Sequence, residues 1–230
     1  MTSPRTPSFV DRRDAGRALA RELRHLDLQH PLILALPRGG VPVAREVAEA
    51  LDAELDLLLV RKIGAPGHEE YGIGAVAEGS GQPHLVVSAE VMALVNPPPG
   101  YLEAEQQRQI AEIERRRLAW RGGRPPIPVA GRTVVIVDDG VATGNTARVA
   151  IRAMRQQGAR EVILAVPVAP ADVVESLAQE ADRLVCLVTP DPFVAVSLHY
   201  QHFDQLGDEQ VLELMTKAGS PPVAGTGGLS

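Results

Sequence analysis

The segment VVIVDDGVATGNTARVAIRAMRQQG, from Val134 to Gly158, constrains this chain more than any other. Val134, Val135, Ile136 and Val137 are four consecutive β-branched residues, the pattern of a strand buried on both faces. That run stops at two adjacent carboxylates, Asp138 and Asp139. A loop of small residues, Gly140 to Asn145, leads into a helix with Val149, Ile151 and Met154 among its apolar positions. Gly158 closes it, supplying the left-handed residue that a helix end favours.

A strand, loop and helix of this kind suit an anion. Gly140, Ala142 and Gly144 let the backbone wrap closely round a ligand with successive N–H groups turned inward. The free N–H groups and the positive dipole end of the helix favour a phosphate. Thr143 and Thr146 add hydroxyl donors. The two aspartates repel a phosphate, so their partners are sugar hydroxyls or a hydrated cation. The loop therefore describes a ligand with a phosphate at one end and hydroxyls nearby.

The pattern lacks the GxxxxGK[ST] of a nucleotide P-loop and is not GxGxxG. It closely resembles the 5-phosphoribosyl-1-pyrophosphate (PRPP) signature of type I phosphoribosyltransferases: an apolar strand, two acids, a small-residue loop and T-G-x-T. Here these are VVIV, Asp138, Asp139, the loop GVA, and Thr143, Gly144, Asn145 and Thr146. The resemblance implies an α/β fold with a central, mostly parallel sheet flanked by helices, a small hood, and a helical insertion. It also implies that residues 140–146 (Gly140, Val141, Ala142, Thr143, Gly144, Asn145, Thr146) bind the 5-phosphate. Asp138 and Asp139 would hold the ribose hydroxyls.

Other stretches add to this. After an N-terminal segment, 1–8, expected to be disordered, Ala15, Leu19, Leu23 and Leu26 recur at helical spacing, and the arginines of that helix read as a solvated face. Leu32 to Leu36 reads as the first buried strand and runs straight into PRGG, with a helix beginning at Val41 or Pro42. By the resemblance, Arg38, Gly39 and Gly40 form the pyrophosphate-binding loop, a loop that in the family often holds a non-proline cis peptide. Leu55 to Val60 reads as a second strand ending in Arg61 and Lys62. These are either cations aimed into the ligand crevice, joining Arg38 on the pyrophosphate, or two solvated surface charges. The glycine-rich IGAPGHEEYGIG reads as a mobile loop, which the resemblance makes a lid. His68 in it is a candidate acid–base group by residue type alone.

Ala75 to Glu78 and HLVV form a hairpin through GSGQ, and Ser88 can cap a short helix to Val95. Tyr101 to Trp120 is a long, charge-rich helix in which Glu112 faces Arg116; Arg115, Arg116 and Arg117 read as a solvated face or a dimer contact. A stiff linker, 122–128, completes an insertion spanning 84–128. Further strands are expected at 161–166 and 184–188, with a helix from Pro170 or Ala171 between them. The stretch 189–206, TPDPFVAVSLHYQHFDQL, resembles the hood of purine phosphoribosyltransferases. There Phe193 would stack on a base and the Val194 backbone would read its edge; the alternative is a core phenylalanine. Asp208 can cap a final helix, and 219–230 has the composition of a disordered tail. The catalytic domain is thus expected over 9–218.

The resemblance is incomplete on the base side. Ala142 stands where the 6-oxopurine enzymes carry an acid, LAVPVAP lacks their lysine, and His199 replaces an acid near the end. The PRPP half looks intact and the base half altered.

Composition bounds the rest. The chain has 230 residues, 45% hydrophobic and 3% aromatic, with a formal net charge of −6. That balance argues against a general nucleic-acid binder. The single cysteine, Cys186, sits in the apolar run LVCLV and reads as a buried, inert thiol. No run approaches the roughly 18 apolar residues of a membrane span, and the polar start lacks a signal-peptide core, so a cytoplasmic protein is expected. The expected reaction is Mg²⁺-dependent transfer of phosphoribose from PRPP to a purine-like base. Asp138, Asp139, Arg38 and Lys62 are the catalytic candidates, with Mg²⁺ held through PRPP and, via water, the two aspartates. A homodimer is expected. The rival readings are a PRPP-sensing regulator and a PRPP hydrolase.

Overall fold

The computed structural model describes residues 8–78, 83–87 and 89–218. Of the expected disordered start 1–8, all but Ser8 lies outside them, as do the expected tail 219–230, the GSGQ turn and the Ser88 cap.

The chain forms α1 (Arg12–Arg24), β1 (Leu32–Ala35), α2 (Gly40–Leu51) and β2 (Glu54–Leu57). Next come β3 (Val60–Ala65), β4 (His68–Ala77), β5 (His84–Val87), α3 (Ala89–Val95) and α4 (Tyr101–Arg121). The second half alternates β6 (Thr133–Val137), α5 (Asn145–Gln156), β7 (Glu161–Val168), α6 (Ala171–Ala178) and β8 (Arg183–Val188), and ends in α7 (Asp208–Ala218). Strands β2-β1-β6-β7-β8 form one sheet in that order, parallel at every pairing. Strands β3-β4-β5 form a separate antiparallel sheet. The class is α/β with a parallel central sheet between helices, as the strand–loop–helix pattern and its resemblance implied.

Period-two alternation builds the two faces of the large sheet. Ile33, Ala35, Val135 and Val137 point into a core with Leu19 and Leu23 of α1, Val43 and Val47 of α2, and Val211 and Met215 of α7. Leu32, Leu34, Val134 and Ile136 point the other way, onto Ala147, Ala150, Ile151 and Met154 of α5 and Leu177 of α6. Each fully buried aliphatic side chain of this kind contributes roughly 1.5–3 kcal/mol. Register pairs Ala35 with Val137, so β1 and β6 end side by side. From β1 the chain moves outward to β2, and from β6 it moves the opposite way to β7 and β8. The strand order therefore reverses between β1 and β6, where open α/β sheets leave a crevice at their carboxyl ends.

Two expectations are corrected here. The apolar run after Glu54 is not one strand. It bends at Leu58 and Leu59: the Leu58 N–H donates to the Ala35 carbonyl in the parallel sheet, while the Leu59 carbonyl accepts from the Glu78 N–H in the antiparallel one. Both leucines are buried, one in each core, so hydrophobicity does not mark the bend. Arg61 and Lys62 consequently lie within β3, not at the end of a parallel strand. The IGAPGHEEYGIG stretch is likewise no loop but the hairpin β3–β4, irregular in register on both sides of Gly64. Ile63, Ala65, Ile73 and Ala75 are buried along it.

Helix α4 is more than a solvent-facing helix. Ile113 and Trp120 enter the main core. The charged Arg121 at its end is 2% exposed; its Nε donates to Asp56 at 2.7 Å, its NH1 to Glu78 at 2.8 Å and its NH2 to the Leu57 carbonyl at 2.7 Å. Burial pushes the Glu78 carboxyl up, opposed by its bond to Arg121. Arg115 and Arg116 both pair with Glu112, and Arg117 with Glu114, so each arginine of the run has an acidic partner within its own helix. Among the described residues no helix is long and apolar enough to cross a membrane.

Candidate active site

Two loops leave the adjoining ends of β1 and β6 and touch. The Leu36 N–H donates to the Val137 carbonyl at 2.9 Å, which extends the strand pairing by one residue into the crevice. The Pro37–Arg38 peptide that follows is cis, as the resemblance implied. Gly39 then packs against Asp139: a Cβ there would stand 2.0 Å from Asp139 Oδ2. A Cβ on Gly40 would stand 2.6 Å from the Val137 carbonyl oxygen and 2.9 Å from the Asp138 Cα. The double glycine is thus required by the approach of the acid pair.

Beyond β6, the Asp139 N–H donates to Asp138 Oδ1 at 2.9 Å. Desolvation, and then the neighbouring Asp139, push the Asp138 carboxyl well above the usual carboxylate range. The loop continues to Gly144, which adopts φ +77° and begins α5 with no side-chain cap. The first N–H groups of α5 therefore have neither an intrahelical acceptor nor a capping oxygen. Ala142, Thr143, Asn145 and Thr146 are exposed around them, as an anion site needs. Val141 differs from the rest of the predicted set: its side chain is buried in the core and its N–H donates to the Val168 carbonyl at 2.9 Å.

Arg38 reaches away from the helix end. Its NH1 donates to the Leu206 carbonyl at 3.0 Å and its NH2 lies 2.9 Å from Asp208, whose carboxylate opens α7. Of the two other predicted cations, Lys62 lines a cleft of about 310 Å³ together with Asn145 and Thr146 at the start of α5. Arg61 instead donates through Nε to Gln109 of α4 at 3.0 Å, and burial followed by the charge of Arg116 lowers its pKa. His68 is exposed at the start of β4.

After β8, the Phe193 ring stacks on His199 with centroids 6.0 Å apart. Val194 is 71% exposed. It lines a cavity of about 500 Å³ with Val188, Pro190, Pro192, Leu198 and His199. The structure thus brings Asp138, Asp139, Gly39 and Gly40 into contact, places Lys62 in one cleft with Thr146, and sets Phe193 and Val194 in the stretch after β8.

Two residues at the site were invisible to the sequence reading. Arg12, counted there in a solvated face, is only 12% exposed, and its Nε donates to Asp139 Oδ2 at 2.8 Å. The Tyr200 hydroxyl donates to the Asp139 carbonyl. Burial, and then the charge of Asp139, push the Tyr200 phenol upward, so it remains a donor. No local pattern announces either residue, because each bond joins segments distant in sequence.

Among the described residues no cluster of three or more His, Cys, Asp or Glu side chains is arranged to hold a metal. The carboxylates the β6 loop brings to the crevice are those of Asp138 and Asp139. That fits a magnesium ion coordinated chiefly by substrate oxygens and water, which is how this hard cation is commonly held.

The chain belongs to the phosphoribosyl transferase domain family, whose model matches residues 11–201. It is 44% identical over 210 residues to Rv0571c of Mycobacterium tuberculosis strain H37Rv, provisionally named a phosphoribosyl transferase. The match covers 91% of this chain and 47% of that protein, and the corresponding protein of strain CDC 1551, MT0597, matches equally. The chain thus spans about half the length of the curated relatives it matches. The crystal structure of TT1426 from Thermus thermophilus is similar over 92% of this chain and 99% of that one, with 43% identity and a TM-score of 0.82.

Proposed function

We propose that the protein transfers the 5-phosphoribosyl group of PRPP to a nitrogen of a purine-like base, releasing pyrophosphate. The observation that carries this reading is the contact between the Gly39–Gly40 loop and the Asp138–Asp139 pair where the strand order reverses, beside the open N-terminus of α5.

The exposed end of α5, with Thr143 and Thr146, would anchor the 5-phosphate. Asp138 and Asp139 would accept hydrogen bonds from the ribose hydroxyls and face the positive charge that grows as the anomeric C–O bond breaks. Arg38, released from Asp208, would meet the departing pyrophosphate, with Lys62 closing from the hairpin. The base nitrogen then bonds to the anomeric carbon and loses its proton to solvent. Asp138 and Asp139 would help hold Mg²⁺ through water, and the ion would supply charge neutralisation on the leaving group. The apolar cavity beside Val194 would take the flat acceptor, and Phe193, stacked on His199 in this structure, would have to leave that partner to stack on the base.

A PRPP-sensing regulator is the competing reading, favoured by the absence of an acid at Ala142 and by His199 at the hood. PRPP hydrolysis is a third. The double variant Asp138→Asn with Asp139→Asn separates acid chemistry from mere fold: turnover should fall by about a hundredfold or more with melting temperature little changed. Full turnover in that variant would remove the acids from the mechanism.

A further inference from the structure

Arg12 is held by three independent contacts. Its Nε donates to Asp139 Oδ2 at 2.8 Å, its NH1 donates to the Asp204 carbonyl at 2.8 Å, and its guanidinium carbon lies 3.8 Å above the centre of the Phe203 ring. Phe203 packs on Tyr200 at 5.1 Å, and Tyr200 on Phe9 at 5.5 Å. The Tyr200 hydroxyl meanwhile donates to the main-chain carbonyl of Asp139 itself. One cluster, built from the N-terminal helix and the stretch after β8, thus grips the same acid by side chain and by backbone. The same Oδ2 lies 2.0 Å from where a Cβ on Gly39 would stand, so only a glycine fits beside it. The oxygen is thus in contact with a guanidinium and close to a backbone.

Such a contact does two physical things. It fixes the rotamer of Asp139 before a ligand arrives, which removes an ordering cost on binding. It also places a permanent cation beside two adjacent acids, with Arg12 and Asp139 only 12% and 13% exposed, where screening by water is weak. A polyphosphate approaching a bare acid pair would be repelled; one approaching an acid pair with a built-in counter-charge is repelled less.

We propose that Arg12 is a positioning residue of the active site, acting through Asp139 to set the orientation and charge of the ribose-binding acid pair. The proposal rests on the phosphoribosyl reading and adds to it a residue from outside the two ligand loops. It predicts that the contribution of Arg12 to PRPP binding is conditional on the Asp139 carboxylate.

The test is a double-mutant cycle on the full chain, with PRPP binding followed by calorimetry and melting temperature recorded for each variant. Arg12→Ala should weaken PRPP binding by about tenfold or more, and Arg12→Lys should recover part of the loss, since it restores the charge without the planar fork. In an Asp139→Asn background the same Arg12→Ala change should cost less than about twofold, because the coupled partner is gone. Equal losses in both backgrounds, or unchanged binding in Arg12→Ala, would overturn the proposal while leaving the functional reading in place. A wild-type protein that binds no PRPP would overturn both.

Discussion

At the β1–β6 junction the backbone of one loop packs so closely on the side chains of the other that there is no room for an added carbon. Gly39 is the sharpest case: Gly39→Ala puts a methyl 2.0 Å from Asp139 Oδ2, so the acid or the loop after β1 must move. A displacement of that size in a reacting group costs about a hundredfold in rate, and we expect kcat for phosphoribosyl transfer to fall by that order while the far-ultraviolet circular dichroism stays native. Cys186 makes the opposite point. Its side chain is half-buried, burial pushes the thiol up, and Sγ donates weakly to the Val188 carbonyl at 3.4 Å. Alkylation at about pH 8, below even the ordinary thiol range, should therefore be slow in the native protein and reach one equivalent on unfolding, as followed by mass spectrometry. Rapid labelling of the folded chain would show the thiol to be a nucleophile.

The elements differ in how openly the sequence announces them. Strand β6 and the loop into α5 are legible because their constraints are local: β-branched residues for burial, small residues for a ligand, a glycine where φ must be positive. The loop after β1 is legible for the same reason. The bend at Leu58 and Leu59 is not, since two different sheets bury the run without a polar break. The hairpin β3–β4 is disguised by its glycines, which mark an irregular register rather than a loop. Arg12 reads as solvated because its bond to Asp139 spans 127 positions.

Helix α4 supplies two predictions at this scale. Arg121→Ala leaves Asp56 and Glu78 buried without their cation and should cost about 3–5 kcal/mol in denaturant unfolding, whereas Arg108→Ala, on the exposed side, should cost about 1 kcal/mol or less. Glu112 is a pH probe. Hydrogen bonds from Arg115 and then Arg116 hold its carboxyl down at about 2. Because the folded value is lowered, its stabilisation is present above the ordinary glutamate range, about 4.3, and is lost as pH falls through about 2. The stability gap between wild type and Glu112→Gln, about 0.3–0.5 kcal/mol at neutral pH, should close across that window in urea titrations.

At the scale of the molecule, the parallel sheet determines where chemistry can happen, and segments from both halves of the chain converge on that place. The N-terminal helix brings Arg12 to Asp139; the segment after β8 brings Tyr200 to the same residue and Asp208 to Arg38. Arg38 is thus tied to α7, and in the proposed reaction pyrophosphate would compete with Asp208 for it. The proposed reaction needs all of these parts together: an open helix end for phosphate, an acid pair for ribose, a cation for the leaving group and an apolar hood for the acceptor.

The decisive assay is pyrophosphate release from PRPP and Mg²⁺, with and without a mixed panel of purine and pyrimidine bases. We expect release that requires a base and disappears in the Asp138→Asn, Asp139→Asn variant, after which division of the panel identifies the acceptor. PRPP bound without release, or release indifferent to any base, would rule out transfer and leave a sensor or a hydrolase in its place.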